Sequence, residues 1–184
     1  MPLKGPLLAL GFAVAASVAT LSPNGGAPGN VSTDRAWREV KWPFLLDQWG
    51  TGRAFRCGAA DCGAEITVYI RPKIGFCNCA TGVADDAELD RVGDLELYSD
   101  KWVGLADGSE IKVGWMKGRS RPYRVDMRYS VPVHAHAIAF NDRCDVAVAT
   151  VVADKAQLKA AERHALDFLN SERVLRWAEK ELGL

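Results

Sequence analysis

The residues of this sequence best suited to chemistry are two closely spaced pairs, one of cysteines and one of histidines. Cys77 and Cys79 stand in the stretch IGFCNCATG, and His134 and His136 stand in VPVHAHAIAF. In an extended chain, residues two apart project to the same side, so each pair can offer two ligands to one ion. Because thiolates and imidazoles suit Cu(I), copper binding by these four residues is the metal hypothesis.

The cysteine pair also raises a redox hypothesis. A thioredoxin-like site has the spacing CxxC at the start of a helix, and the stretch CNC lacks that spacing. A disulfide closed through one intervening residue is strained, and strained disulfides are labile and oxidising. Thiol-redox chemistry at Cys77 and Cys79 is therefore an alternative that the spacing supports only weakly.

Structural disulfides are the third interpretation of the cysteines. If a strand ending at Cys57 pairs with a strand beginning at Cys62, the two cysteines face each other on the core side. Directly opposed Cβ atoms lie about 4.5–5.5 Å apart, and a disulfide needs about 3.5–4.5 Å. We therefore expect a Cys57–Cys62 bridge. Cys144 then pairs with Cys77 or Cys79 and leaves the other thiol free.

A basic run, KGRSRPYR, follows the predicted strand that contains Trp115. Its positive side chains could hold an anionic ligand. A solvated loop between strands is the favoured interpretation, because 23 basic and 23 acidic residues cancel and leave no net positive field. The same balance argues against nucleic acid as a partner. The residues of the anion-binding hypothesis are Lys117, Arg119, Arg121 and Arg124.

Sequence motifs of hydrolases and of nucleotide-binding proteins are absent. The chain has no GxSxG elbow, no HExxH and no phosphate-binding glycine loop. The third histidine, His164, stands in a predicted helix among alanines and leucines. Without a recognisable nucleophile–base pair, the sequence favours a non-enzymatic protein over an enzyme.

The N-terminal residues have the pattern of a secretory signal peptide. Lys4 precedes the uncharged run LLALGFAVAASVATL, and the small residues at 17 and 19 suit a signal peptidase. The run is shorter than the roughly 20 apolar residues of a spanning helix. We expect a signal peptide over 1–19, no stable membrane span after cleavage, and a periplasmic or secreted protein. A Gly-, Pro- and Ser-rich leader follows over 20–34 and precedes one domain over 35–184.

Hydrophobic periodicity predicts the main elements of that domain. Alternation over 66–71 and 111–115 is typical of half-buried strands with one wet face. A final hairpin ends in the strand 145–153, whose apolar residues on both faces predict a central position in the sheet. An apolar stripe then predicts helix over 155–184, with a break at Asn170.

Capping signals predict two shorter helices. Asp85 with Glu88 forms a capping-box pattern before Gly93, and the acidic residues lack the spacing of a calcium loop. Pro43 can begin a helix over 44–48, which would close one end of the core.

These elements predict an α+β domain with a single antiparallel sheet of about five to seven strands. A C-terminal helix would lie on one face, with short peripheral helices. The run from Trp42 through Cys79, with KVGWMKGRSRPY and AIAFNDRCDVAVATVV, resembles a family of small exported bacterial proteins without a known activity. The hairpin followed by a long helix is similar to the PsbP-like αβα sandwich. The resemblance implies export and this layout, and it suggests no particular activity.

The sequence thus predicts an exported, disulfide-stabilised, non-enzymatic accessory or binding protein, whose partner is a protein or a small molecule. This interpretation requires no cofactor. The alternative is a periplasmic copper-binding or thiol-redox protein that uses Cys77 and Cys79, with Cu(I) as its metal.

Overall fold

The computed structural model of this chain describes residues 34–127 and 129–184, together with residues 1, 2 and 5. The predicted signal peptide, 1–19, and the predicted leader, 20–34, lie almost entirely outside the described residues, so both stay predictions. The elements below all belong to the part of the chain from Asp34 onward.

One antiparallel sheet organises the described chain, as predicted. It has eight strands in the order β1-β2-β3-β8-β7-β6-β4, and β5 pairs with β6 beside β4. This is one strand more than the upper end of the expected range. The strands are β1 Trp37–Val40, β2 Arg53–Cys57, β3 Ile66–Lys73, β4 Trp102–Gly104, β5 Ser109–Val113, β6 Met116–Val125, β7 Val133–Asp142 and β8 Asp145–Val152.

The helices of the described chain follow the predicted order. Two of them, α3 and α4, form the helical C-terminal part, and the chain between them contains Asn170, where a break is expected. Single 3-10 turns precede β4 and α3. The helices are α1 Ala59–Cys62, α2 Asp86–Val92, α3 Leu158–Leu169 and α4 Glu172–Leu182, and the 3-10 turns are Leu95–Leu97 and Lys155–Gln157.

Strand β8 lies in the middle of the sheet, between β3 and β7, which confirms its predicted central position. Its side chains alternate between two cores because successive residues of a strand point to opposite faces. Ala147, Ala149 and Val151 enter the core under α3 and α4, while Val146 and Val148 enter the core under α2. We call these the α3-side core and the α2-side core.

Helix α2 confirms the capping signal of its sequence. The carboxylate of Asp85 accepts a 2.8 Å hydrogen bond from the backbone N–H of Glu88. Gly93 caps the other end, where its N–H donates to the carbonyl oxygen of Leu89. The capped helix lies on β6 and β7, so the acidic run is a structural element of the α2-side core.

The expected helix over 44–48 is wrong. Residues 41–52 form an irregular segment that crosses the α2-side face of β3, where Phe44 lies edge-on to Tyr69 and Tyr98. A part-buried ion pair holds the segment there, since the buried Arg71 guanidinium contacts the exposed Asp47 carboxylate at 2.7 Å. The tertiary ion pair and the aromatic contacts outweigh the helix-starting preference of Pro43.

The prediction that one face of β3 is exposed to solvent is also wrong at the C-terminal end of the strand. Arg71 and Lys73 are both 0% exposed. The Asp94 carboxylate lies 2.7 Å from Arg71 Nη2 and 2.8 Å from Lys73 Nζ, and the carbonyl oxygen of Val92 accepts from Lys73 at 2.9 Å. The two cations are buried because carboxylates and carbonyl groups replace the water that they lose.

The register of the β2–β3 hairpin differs from the one expected. Cys57 pairs with Ile66 and not with Cys62, because the intervening residues form the helical turn α1. The cysteine spacing therefore indicated which residues approach closely enough for a disulfide, but it did not determine the strand register.

Candidate functional site

A cavity of about 450 Å³ lies between α3 and the adjoining part of the sheet. We call it the α3 cavity. Strands β6 and β7 form its floor, the loop before β5 forms one wall, and the start of α3 forms the other. Its lining residues are Ala106, Asp107, Ser109, Ser120, Pro122, His136, Lys155, Leu158, Lys159 and Glu162.

Strand register places two polar side chains on the floor of this cavity. In the β6–β7 pairing, Ser120 lies opposite Ile138 and Pro122 lies opposite His136, so the two polar residues are diagonal neighbours on the same face of the sheet. Ser120 is 1% exposed and His136 is 5% exposed. Such burial has to be offset by hydrogen bonds, because an unpaired buried polar group destabilises the fold.

Glu162 of α3 provides that compensation. The hydroxyl of Ser120 donates a 2.6 Å hydrogen bond to Glu162 Oε1. The Nδ1 atom of His136 lies 3.3 Å from Ser120 Oγ and 3.6 Å from Glu162 Oε1. The three side chains therefore form one hydrogen-bonded cluster that joins two strands to a helix.

The electrostatics of the cluster keep the histidine ring neutral. Burial lowers the pKa of His136, while the negative charge of Glu162 opposes that shift and is the smaller effect. An imidazole with a pKa below its usual value is uncharged at neutral pH, so His136 offers one donor and one acceptor nitrogen.

The mouth of the α3 cavity is charged and open to solvent. Lys155 in the 3-10 turn before α3 and Lys159 in the first turn of α3 are exposed, and Asp107 is an exposed side chain on the opposite wall. Two ammonium groups and one carboxylate give the mouth a positive balance. The apolar surfaces of Leu158 and Pro122 lie between this mouth and the polar floor.

The sequence did not point to Ser120 and Glu162. Ser120 and Glu162 are 42 positions apart, and a hydrogen bond between them depends on how α3 crosses the sheet. One signal was available: Glu162 follows Leu158 by four residues and Ala161 by one, on the side of the helix that carries the apolar stripe. A carboxylate at that position indicates a buried polar partner.

All five cysteines lie in the described residues, and four of them form two disulfides. Cys57 is bonded to Cys62, and Cys79 is bonded to Cys144. Cys77 is the cysteine that stays unbonded. Disulfide bonding is thus confirmed, and the CNC stretch contains one bridged cysteine and one thiol.

The environment of the Cys77 thiol does not favour redox chemistry. It is buried in the α2-side core and donates to the carbonyl oxygen of Arg143 at 3.2 Å. Burial raises the pKa of Cys77 to about 11, and the charges of Glu88 and Asp145 add to the shift. Because the thiolate is the nucleophile, this environment suppresses thiol exchange at neutral pH.

The four residues of the copper hypothesis do not meet in one place. The sulfur of Cys79 is bonded to Cys144, and Cys77 lies in the α2-side core, whereas His136 lies on the opposite face of the sheet. His134 lines a different cavity of about 280 Å³. Across the described residues, no group of three or more His, Cys, Asp and Glu side chains is arranged to hold a metal ion.

The basic run is a strand and not the expected loop. Residues 117–124 belong to β6, where alternation points Arg119 and Arg121 toward α2. Arg119 hydrogen-bonds the carboxylate of Asp86, and Arg121 lies 3.1 Å from that of Asp90. These guanidinium groups attach α2 to the sheet, which leaves them poorly placed to hold a separate anion.

The two remaining basic residues of the run have different surroundings. Arg124 contacts the Asp126 carboxylate at 2.9 Å, an exposed pair near the end of the strand. Lys117 lines two neighbouring cavities of about 410 and 360 Å³ on the edge of the sheet. The four residues of the anion-binding hypothesis therefore do not converge on a common point.

The described chain is consistent with an extracytoplasmic protein, because its two disulfides are typical of oxidising compartments. Among the residues that the structure covers, none of the helices combines the length and the apolar character needed to cross a membrane.

Comparisons with known proteins identify no family for this chain. No protein-family model matches it, and no curated protein matches it. Among solved structures, it is similar to the solution structure of cyanobacterial PsbP (CyanoP) from Synechocystis, with a TM-score of 0.44 and 14% sequence identity. The similarity covers 73% of this chain and 78% of that chain. The expected membership in a family of small exported bacterial proteins stays a prediction.

Proposed function

We propose that this chain is an exported, disulfide-stabilised, non-enzymatic binding protein that holds a small polar molecule in the α3 cavity. The observation that carries the proposal is the hydrogen-bonded cluster of Ser120, His136 and Glu162 on the floor of a cavity of about 450 Å³. The cavity is accessible through a mouth that exposed charged side chains surround.

The size and lining of the cavity support a ligand-binding role. Binding pockets for small molecules have volumes of about 300–1,000 Å³ and combine apolar walls with a few converging polar groups. The α3 cavity has this composition, with Leu158 and Pro122 on the walls and the polar cluster on the floor. The cluster is also anchored to two strands and a helix, so ligand-contacting atoms are held in place before binding.

The arrangement of the cluster favours binding over nucleophilic catalysis. In a serine triad, the histidine uses one ring nitrogen for the serine and the other for a carboxylate. Here the Nδ1 atom of His136 is the ring nitrogen closest to both Ser120 Oγ and Glu162 Oε1, at 3.3 and 3.6 Å. The serine proton is donated to the carboxylate and not to the histidine, so the histidine is not placed as the base of a relay.

The disulfides support a location outside the cytoplasm, either the periplasm or the extracellular space. One bridge closes the turn between β2 and β3, and the other joins the β7–β8 hairpin to the loop after β3. Both would be reduced in a cytosol kept at a reducing potential. In this proposal they stabilise the scaffold and take no part in ligand binding.

A screen for bound small molecules tests the proposal. The mature protein, purified under native conditions, is examined by native mass spectrometry and by NMR titration with pooled metabolites. We expect a ligand that shifts the resonances of Ser120, His136 and Glu162. Replacing Lys159 by Glu at the cavity mouth should weaken binding of that ligand.

The matched control is Arg163→Glu, which reverses an exposed charge on the same helix outside the cavity lining. It should leave the affinity unchanged. Binding in the α3 cavity would be contradicted if ligands shifted only the NMR resonances of residues on other surfaces. It would also be contradicted if the two charge reversals changed the affinity equally.

A further inference from the structure

We infer that the α3 cavity selects small carboxylates that also carry a hydroxyl or ammonium group, with that donor on the cavity floor and the carboxylate at the mouth. This inference rests on the proposed function and adds the chemical class of the ligand. Hydroxy acids and amino acids belong to this class.

The hydrogen-bond directions on the floor determine which ring nitrogen of His136 is free. Ser120 has one hydroxyl proton and donates it to Glu162 Oε1 at 2.6 Å. Ser120 Oγ can then only accept, so the His136 Nδ1 atom 3.3 Å away must carry the proton of that hydrogen bond. In a neutral ring, Nε2 is therefore an acceptor. No side-chain or backbone group of the described residues hydrogen-bonds to it.

The free hydrogen-bonding capacity on the floor is entirely of the acceptor kind. Nε2 of His136 offers a lone pair, and the Glu162 carboxylate has acceptor positions beyond the one that Ser120 uses. Pro122, which also lines the floor, has no backbone N–H to donate. A ligand group that satisfies these atoms must bring the protons, as a hydroxyl or an ammonium group does.

Burial supports this assignment at neutral pH. Because burial lowers the pKa of His136, the ring keeps its acceptor nitrogen under conditions in which an exposed histidine begins to be protonated. The charged groups that line the cavity with it are Glu162, Lys155, Lys159 and Asp107.

The mouth of the cavity favours a negatively charged group of the ligand. Lys155 and Lys159 bring two ammonium groups, and Asp107 neutralises one of them. The remaining single positive charge matches one carboxylate better than a doubly charged phosphate. Floor and mouth together therefore require a donor at one end of the ligand and a monoanionic group at the other.

Three four-carbon monocarboxylates test the inference, because they share a skeleton and differ only at the end opposite the carboxylate. Butyrate has no donor group, 4-hydroxybutyrate has a hydroxyl there, and 4-aminobutyrate has an ammonium group. Their binding to the mature, disulfide-bonded protein is measured by calorimetry at neutral pH. We expect 4-hydroxybutyrate or 4-aminobutyrate to bind about tenfold more tightly than butyrate, because butyrate leaves buried acceptors unpaired.

Two variants separate the floor from the mouth. Glu162→Gln replaces an acceptor-only carboxylate by an amide that also donates, and it should reduce the preference over butyrate. Lys159→Glu should weaken binding of all three monocarboxylates, whereas Arg163→Glu should change none of them. Nitrogen-15 NMR of the imidazole provides a separate readout, and we expect a protonated Nδ1 and an unprotonated Nε2.

Three results would overturn the inference: butyrate binding as tightly as the other two, a His136 ring protonated at Nε2 in the folded protein, or no binding of any of the three monocarboxylates at millimolar concentration. The proposed function fails by a different measurement, since it requires only that some small molecule from the metabolite screen occupies the α3 cavity. A ligand without a carboxylate would thus refute the ligand class and support the binding function.

Discussion

The backbone N–H of Cys77 donates a 3.0 Å hydrogen bond to the carbonyl oxygen of Cys144, the residue whose sulfur is bonded to Cys79. The unbonded cysteine of the CNC stretch thus lies directly beside the bridge formed by the other. The Cys77 thiol remains buried in the α2-side core. The hydrogen bond of Cys77 and the disulfide of Cys79 together attach the loop after β3 to the β7–β8 hairpin.

The first prediction concerns the reactivity of the Cys77 thiol. Since burial raises the pKa of Cys77 from 9.0 to about 11, its thiolate fraction at pH 7 is about a hundredfold smaller than that of an ordinary thiol. We expect very slow alkylation of the native protein by iodoacetamide, with a rate that rises about tenfold per pH unit up to that pKa. Mass spectrometry of the alkylated protein measures this rate.

Unfolding in urea without a reductant should expose one reactive thiol per chain, and Cys77→Ser should remove it. Rapid alkylation of the native protein at pH 7 would show that the thiol is accessible and ionised. That result would reopen the redox hypothesis for the CNC stretch.

The second prediction compares the two disulfides. In the chain-entropy model, a bridge stabilises the fold more when it closes a longer loop. Cys79–Cys144 spans 65 positions and Cys57–Cys62 spans 5. Replacing both cysteines of the longer loop by alanine should therefore lower the free energy of unfolding by about 2 kcal/mol more than the same change at the shorter loop.

The double variants are necessary because removing Cys79 alone would allow Cys144 to pair with Cys77. Urea unfolding under non-reducing conditions measures both free energies. Equal losses from the two double variants would contradict the entropic explanation for these bridges.

The third prediction concerns the buried cations of β3. Asp94 forms ion pairs with both Arg71 and Lys73, which are fully buried, so Asp94→Ala leaves two positive charges without their shared partner. Removing one partner of a buried ion pair destabilises a protein by about 3–5 kcal/mol. We expect a loss in this range by urea unfolding, with the segment 41–52 losing hydrogen-exchange protection first.

Glu96→Gln is the matched control for this prediction. The Glu96 carboxylate lies 3.8 Å from Lys73 Nζ, but its side chain is 54% exposed. Exposed ion pairs contribute about 0–1 kcal/mol, so the control should be nearly neutral. Similar losses for the two variants would mean that burial does not determine the strength of these contacts.

The elements that the sequence predicted well are those whose signals are local. Capping residues identified α2, and the apolar stripe identified α3 and α4 with their break. The two-sided apolar pattern of β8 placed that strand at the centre of the sheet. Each of these features depends on neighbours within one element, where periodicity and capping determine the structure directly.

The features that sequence analysis missed depend on contacts between distant elements. Arg71 continues the polar alternation of β3, yet Asp47 and Asp94 approach from two other segments and allow it to be buried. Ser120 lies in a basic run that looked like a loop, and Glu162 reaches it only because α3 crosses the sheet at that point. Periodicity distinguishes polar from apolar positions, but it does not identify a polar residue that gains a buried partner.

The last prediction is a pH dependence of stability that His136 introduces. Its pKa in the folded protein is lower than the value of 6.5 that applies to an exposed histidine. As pH falls through about 6.5, the unfolded chain therefore takes up a proton that the folded chain does not. Stability should decrease from there toward the lower folded pKa, and above both pKa values His136 should contribute no pH dependence.

Urea unfolding of the wild type and of His136→Gln between pH 8 and pH 5 measures this effect. The variant keeps a side chain that can hydrogen-bond to Ser120 but cannot titrate, so its stability should decline less over this range. Carboxylates titrate in both proteins, and their contribution cancels in the difference between the two curves. Parallel curves would mean that Glu162 offsets the effect of burial, and the neutral imidazole on the cavity floor would then lack support.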